Sequence, residues 1–417
     1  MKKTKLTKLE KAWILYDVGN SAFIMLVSTI FPIYFNYLAG NAGISEVNYL
    51  AYWGYAASVA TVIVALIGPV LGTIADTENF KKPIFTISMM VGVFGCVALS
   101  FPKSWIAFLA IFVVAKVGCN ASLIFYDAML VDVTTEDRMD MVSSHGYAWG
   151  YIGSCIPFVI SLVFVLMYDK IGISLGLAMA IAFCLNAVWW FVVTIPFLKL
   201  YKQKHYVEMP KRPIVESFSR LFTTLKNVGQ QKHIFVYLIA FFFFIDGVST
   251  IISMATAYGS SLGLDSTGLL LALLVTQIVA FPCALIFAKL SKKYETDVLI
   301  KVCIIAYIGI AVFAIQLDKQ WEFWLLAVCV GMFQGAIQAL SRSYFAKIIP
   351  AKKTGEYFGI YDIFGKSASF VGTTLVAAVA QITGIQNLGV AVIAVMFVIG
   401  YFVFCKAARL NREVANK

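Results

Sequence analysis

Apolar runs of about twenty residues recur twelve times along this chain of 417 residues, and no other feature narrows its fold as much. They fall near 12–38, 50–75, 84–101, 105–133, 146–168 and 173–198, and then near 233–258, 267–290, 298–317, 322–347, 357–382 and 387–405. A helix rising 1.5 Å per residue crosses a hydrocarbon layer of about 30 Å in about 20 residues. Each run therefore reads as a membrane-spanning helix. Composition agrees, because charged residues make up 13% of the chain and hydrophobic ones 61%, against about 25% and 45–50% in soluble domains. The expected fold class is an all-α polytopic membrane protein with twelve transmembrane helices.

The net charge of +11 raises the question of nucleic acid. The basic residues, however, lie in loops between apolar runs, with no stacked aromatics or compact basic face beside them, so no nucleic-acid partner is expected. Their distribution instead gives topology. Twenty-five of the 33 Lys and Arg residues fall on the side of the N-terminus and three, Lys103, Lys170 and Lys319, on the other. Positive charge stays in the cytoplasm, so both termini are expected there. The basic lead of Met1 to Lys11 precedes an apolar run too long for a signal-peptide core and interrupted by Asp17 and Asn20, so this run is expected to be retained. The eight cysteines sit inside apolar runs without CxxC spacing, and the three histidines are scattered; neither a metal nor a cofactor is expected.

One long polar stretch divides the spans into six and six. The expected domains are an N-terminal half over residues 1–200, a cytoplasmic linker over 201–232, amphipathic around Ser217–Leu225, and a C-terminal half over 233–417. The halves echo each other: Pro69 and Pro282, Gly118 and Gly331, and Gly146 and Gly359 are each 213 residues apart. Asp17 and Asn20 in the first span face Asp246 and Ser249 in the seventh. Duplicated six-helix halves are the architecture of major facilitator transporters.

Polar residues inside these spans mark the candidate site, since a charge deep in hydrocarbon costs about 2.5–3.5 kcal/mol unless it faces water or a partner. They gather on the first and fourth helix of each half: Asp17 and Asn20, then Lys116, Asn120 and Asp127, then Asp246 with Ser249, Thr250 and Ser253, then Gln334, Gln338 and Arg342 at four-residue spacing on one face. On the eleventh helix Asp362 and Lys366 can pair one turn apart. These eleven residues, Asp17, Asn20, Lys116, Asn120, Asp127, Asp246, Gln334, Gln338, Arg342, Asp362 and Lys366, are the candidates for substrate binding or ion coupling. The competing reading is that the charges pair and merely hold helices together. Asp17 and Asp127 are placed to contact Arg342 or Lys366, whereas Lys347 and Asp132, near span ends, are expected to snorkel. Asp246 lies about thirteen residues into its run with no charge within a turn, which favours a substrate or proton role. Between the second and third spans, Gly72, Asp76, Lys81 and Lys82 resemble the facilitator loop motif that clamps helix ends, here a cytoplasmic gating loop. The second half has Lys292 where the acid should stand, so a clamp there would need another carboxylate, such as Glu295 or Asp297.

Four segments carry a family resemblance: YDVGNSAF from Tyr16, VSSHGYAWGYIG from Val142, QGAIQALSRSYF from Gln334 and YFGIYDIFGK from Tyr357. Over essentially the whole chain they resemble the vacuolar amino-acid effluxer family linked to autophagy, within the major facilitator superfamily, and its bacterial relatives. Val18-Gly19 departs from the Trp-Ala usual in that family. The resemblance implies a twelve-helix secondary transporter; in the fungal branch it implies export of amino acids from the vacuole. Compact loops point to a bacterial member in the cytoplasmic membrane.

The leading expectation is a secondary active transporter that moves a small solute by alternating access with proton coupling, working as a monomer among membrane lipids. Gln and Arg suit a carboxylate and Asp an ammonium, so a zwitterion fits. Efflux of drugs or hydrophobic cations is the alternative, with Asp246 amid Phe241–Phe244 as its carboxylate. A non-transporting receptor or scaffold is the alternative of another class. Nucleophile motifs, metal clusters and phosphate-cradling glycine loops are missing from the sequence, which argues against an enzyme.

Overall fold

The computed structural model describes residues 5–44, 46–208, 231–261, 266–384 and 386–415. The amphipathic stretch expected around Ser217–Leu225, like most of the linker, lies outside these residues.

Fourteen α-helices are described: α1 (Lys8–Ser28), α2 (Ile30–Asn41), α3 (Glu46–Ala75), α4 (Lys81–Ala98), α5 (Trp105–Ala128), the short α6 (Leu130–Val133), α7 (Met139–Ile171), α8 (Leu175–Leu200), α9 (Lys232–Ser261), α10 (Ser266–Leu290), α11 (Thr296–Ala314), α12 (Gln320–Ile348), α13 (Thr354–Thr383) and α14 (Gln386–Ala415). They give twelve segments long and apolar enough to cross a membrane, at the twelve places the hydropathy predicts. The first run is split. Thr29 leaves helical geometry at φ −133°, ψ −72° between α1 and α2. Pro32 explains the break, because its ring would collide with the Ser28 carbonyl and it has no N–H to donate there. At its other end α1 begins with a capping box in which the Glu10 amide donates to Thr7 Oγ1 (3.1 Å) and the Thr7 amide to Glu10 Oε2 (2.7 Å).

The chain forms two compact units. The first takes in Met1–Thr135, Trp149–Ile214 and Ala351–Gly359; the second takes in Glu136–Ala148, Val215–Pro350 and Ile360–Lys417. Within the first, contacts run from α1 to α8, α8 to α4, α4 to α5 and α5 to α3. Within the second they run from α9 to α14, α14 to α11, α11 to α12 and α12 to α10. Counted by span, the order is first, sixth, third, fourth, second in one unit, and the corresponding order in the other. The duplication is thus a property of the packing as well as of the sequence.

Both cores are aromatic. Phe31, Phe35, Phe108, Phe112 and Phe183 interlock in the first unit, with Trp53 stacked on Phe112 at 4.3 Å. In the second, Tyr237 meets Tyr344, Phe345 and Phe404, and Phe241 stacks on Tyr361 at 4.0 Å. Ring pairs at such distances add about 0.5–1.5 kcal/mol beyond their buried area.

Candidate functional site

In the first unit, α1 turns Asp17 toward α5. Asp17 Oδ2 accepts from the Tyr126 hydroxyl at 2.9 Å, and Asn20 Nδ2 lies 3.5 Å from Oδ1. Tyr126 stacks on Trp13 at 4.2 Å, and the Trp13 indole donates to the Tyr126 carbonyl, so the ring that holds Asp17 is itself fixed. Asp17 and Asn20 are buried. Along α5, Asp127, Asn120 and Lys116 are half-buried, with the Lys116 ammonium 5.6 Å from the Phe112 ring centre. The departure at Val18-Gly19 has a packing reason. A Cβ on Gly19 would sit 2.9 Å from Trp190, and Val18 fills the space that a side chain at Gly153 would need.

In the second unit, α9 carries Asp246, fully buried. Its Oδ1 accepts from the Gly372 amide of α13 at 3.0 Å and from Thr250 Oγ1 at 3.3 Å. Its Oδ2 has no hydrogen-bond partner among the described residues. A Cβ at position 372 would land on Asp246 Oδ1 and Thr250 Oγ1, so only glycine lets the α13 backbone come this close. On α12, Gln334 and Arg342 are buried and Gln338 is half-buried. Arg342 donates through Nε to Ser143 Oγ (2.9 Å) and through its terminal nitrogen to the Ser143 carbonyl (3.1 Å), with its guanidinium 4.5 Å from the Tyr147 ring centre. Ser143 and Tyr147 lie in the VSSHGYAWGYIG run, which sequence reading used for the resemblance and gave no role. On α13, Asp362 and Lys366 pair at 2.7 Å.

Each unit also carries a buried cluster of charge. In the first unit, Asp76 accepts from the amides of Gly355 (2.8 Å) and Glu356 (2.9 Å), which open α13 and carry the positive end of its dipole. Lys81 lies 3.3 Å from Asp76, 3.9 Å from Asp132 and 2.9 Å from Thr354 Oγ1. Burial pushes the Asp76 carboxyl above the usual carboxylate range, against the pull of Lys81 and of the two amides. A Cβ on Gly72 would strike the Gly355 carbonyl. Lys82 is half-buried and forms no ion pair with a described residue.

Asp132 corrects an expectation. It does not snorkel; it is fully buried and accepts from the Tyr201 hydroxyl (2.6 Å) and from the amides of Lys204 (3.1 Å) and His205 (2.9 Å). Burial, then the Asp132 charge, push the Tyr201 hydroxyl well up. The strap 201–208 is further tied by Gln203 to the carbonyls of Ala75 and Thr77, and by Val207 to the backbone of Asp76 and Glu78.

Lys347 is the second correction. In the second unit it pairs with Asp140 at 2.7 Å, and Asp140 also accepts from Thr296 Oγ1 at 2.6 Å. Glu295 and Asp297 bind Arg412 instead (2.6 and 3.0 Å), and Asp297 also binds Lys301. Asp140 was missed because a lone acid just after a loop looks like an ordinary first-turn helix residue.

Among the described residues no group of His, Cys, Asp and Glu is arranged to hold a metal, and all eight cysteines are free thiols.

The family described as "Vacuole effluxer Atg22 like" matches residues 6–413. An uncharacterized MFS-type transporter of Bacillus subtilis, YxiO, is 42% identical over 401 residues, covering 95% of this chain and 94% of that one. Autophagy-related protein 22-1 of Penicillium rubens is 26% identical over 265 residues; the match covers 58% of this chain and 44% of the fungal protein, less than half its length. Among solved structures, the major facilitator transporter FucP in its outward conformation superposes with a TM-score of 0.73 at 12% identity, covering 96% of this chain and 97% of that one. That likeness speaks for the fold. The protein is a multi-pass integral membrane protein of all-α, major facilitator architecture, with twelve spans in two six-helix halves. With its family profile matched from residue 6 to residue 413, the chain belongs to the Vacuole effluxer Atg22 like family.

Proposed function

We propose that this protein is a secondary active transporter that moves a small solute by alternating access, with proton coupling through Asp246. One observation carries the reading. A carboxylate is buried in a membrane helix, one oxygen fixed by Gly372 and Thr250 and the other without a partner. A carboxyl group left half-satisfied in a low-dielectric interior has a place for a proton on that free oxygen. A buried carboxylate kept only for structure would have both oxygens occupied or a cation beside it.

The remaining candidates take supporting roles. Gln334, Gln338 and Arg342 on α12, and Asp17, Asn20, Lys116, Asn120 and Asp127 on α1 and α5, bind solute. Asp362 and Lys366 neutralise each other until solute or proton separates them. Gly72, Asp76, Lys81 and Lys82 serve as the gating loop. The distribution of Lys and Arg supports cytoplasmic termini, and the bacterial relative supports a bacterial cytoplasmic membrane. The family description supports efflux as the direction; an amino acid as solute rests on the resemblance alone. The protein needs no cofactor in this reading and works as a monomer.

Reconstituted proteoliposomes test it. Neutral amino acids, dipeptides, sugars, nucleosides and tetraphenylphosphonium are each offered with and without an imposed pH gradient. At least one should accumulate above its equilibrium level only when the gradient is present. Equal uptake in protein-free vesicles for the whole panel would sink the reading.

A further inference from the structure

A cavity of about 290 Å³ opens inside the second unit, enclosed by α9, α10, α11, α12, α13 and α14. Its wall is almost wholly hydrocarbon, from residues such as Leu273, Ile310, Phe323 and Val376. An apolar cavity of about 150 Å³ stays dry and takes up benzene, so this one has room for roughly ten to twelve non-hydrogen atoms on the same scale.

Four polar side chains reach the wall: Thr250, Thr276, Gln277 and Gln334. Their hydrogen bonding decides what the cavity can hold. Each threonine has one hydroxyl proton. Thr250 directs its proton to Asp246 Oδ1 at 3.3 Å, and Thr276 directs its own to the carbonyls of Ala272 and Ala327 at 3.0 and 3.1 Å. Toward the cavity both hydroxyls therefore present only lone pairs. Gln334 is 6% exposed and lines the wall. Its amide is the group there that can offer a ligand both a donor and an acceptor from α12. Among the described residues no charged side chain lines the wall, and an ion entering would lose its hydration without a counter-charge from them.

We infer that this cavity is a binding site for an uncharged, mainly apolar small molecule carrying one hydrogen-bonding group, such as an alcohol or amide on an aromatic or branched hydrocarbon frame, which Gln334 holds. The site lies within one six-helix half and shares Gln334 with the solute-binding residues proposed above, but its occupancy is read by binding alone, without any transport measurement. A lipid acyl chain would match the hydrocarbon wall but would offer Gln334 no hydrogen-bonding group, so the small polar-tipped molecule is favoured.

Thermal unfolding of the purified full-length protein in detergent reads the site, because a ligand that binds only the folded state raises Tm. Three probes share one frame: 2-phenylethanol, ethylbenzene and phenethylammonium. The alcohol should raise Tm by on the order of a few degrees near saturation, the hydrocarbon by less, and the ammonium not at all. Gln334→Leu should erase the difference between alcohol and hydrocarbon. Ala255→Leu, which adds a side chain into the cavity from α9, should abolish both shifts. Should Ala255→Leu fail to fold, the alcohol-minus-hydrocarbon difference in Gln334→Leu still decides. The inference is overturned if the ammonium binds as well as the alcohol, if Gln334→Leu leaves the difference intact, if the filled variant responds like wild type, or if no probe shifts Tm. Native mass spectrometry of the wild type showing a retained lipid that is lost in Ala255→Leu would assign the cavity to an acyl chain and overturn it too.

Discussion

Asp17 and Asp246 stand on the first helix of each half, both buried, yet the protein treats them oppositely. Asp17 has partners at both oxygens: Oδ2 accepts from a tyrosine that is itself stacked and hydrogen-bonded, and Oδ1 has the Asn20 amide within reach. Asp246 has two donors on one oxygen and none on the other among the described residues. A carboxylate with a donor at each oxygen is fixed in place by them; one with a bare oxygen has somewhere to put a proton. Duplication supplied two acids, and their surroundings separate their roles. Asp140 shows a third treatment, an acid matched by a cation, with Lys347 at 2.7 Å.

Substitutions can break or sharpen this contrast. The largest effect is expected from Lys347→Ala, which strips Asp140 of its cation and leaves a buried, uncompensated charge. Stability should fall by about 3–5 kcal/mol, and adding Asp140→Asn should restore most of it; denaturant titration in detergent of the single and double variants checks both. Tyr126→Phe removes the donor from Asp17 and should lower stability by about 1.5–3 kcal/mol while leaving the proton-to-solute ratio of transport unchanged. A changed ratio would place coupling in the first half instead. Gly372→Ala pushes a methyl onto Asp246 and Thr250, and the forced shift should cost about 1–3 kcal/mol. Unlike Tyr126→Phe, it should also reduce gradient-driven uptake more than exchange, since the carboxylate loses its amide. Smallest of all is His205→Ala: the ring is 40% exposed and 2.9 Å from Asp132, an arrangement worth less than about 1 kcal/mol, read as a marginal Tm change.

The sequence made the fold legible because a membrane span needs continuous apolar length, and length survives any error of a few residues at its ends. The break at Thr29 was readable from Pro32 but masked by unbroken hydropathy. The echo of Gly118 and Gly331 misled in part. A Cβ on Gly118 would meet α4 and one on Gly331 would meet α10, so equal spacing does not mean equal neighbours.

Candidate residues such as Asp246, Gln334 and Arg342 stood out because lipid makes polar groups rare. Their partners did not. Gly372 and Gly355 act through backbone amides and Ser143 partly through its carbonyl, groups that every residue carries, and Asp140 meets Lys347 across 207 residues of sequence. Asp132 and Lys347 were misread as snorkelling because position along a span gives depth but not the neighbouring helix.

The central claim, that Asp246 carries the coupled proton, is tested most directly by measuring proton and solute movement together. Proteoliposomes loaded with a pH-sensitive dye would carry wild type or Asp246→Asn, using whichever solute the uptake panel identifies. The account predicts that downhill solute flux moves protons in the wild type, while Asp246→Asn still exchanges solute across the membrane and moves no protons with it. Proton movement that persists at the wild-type ratio in Asp246→Asn would contradict the account and leave Asp246 as a buried acid of the helix packing.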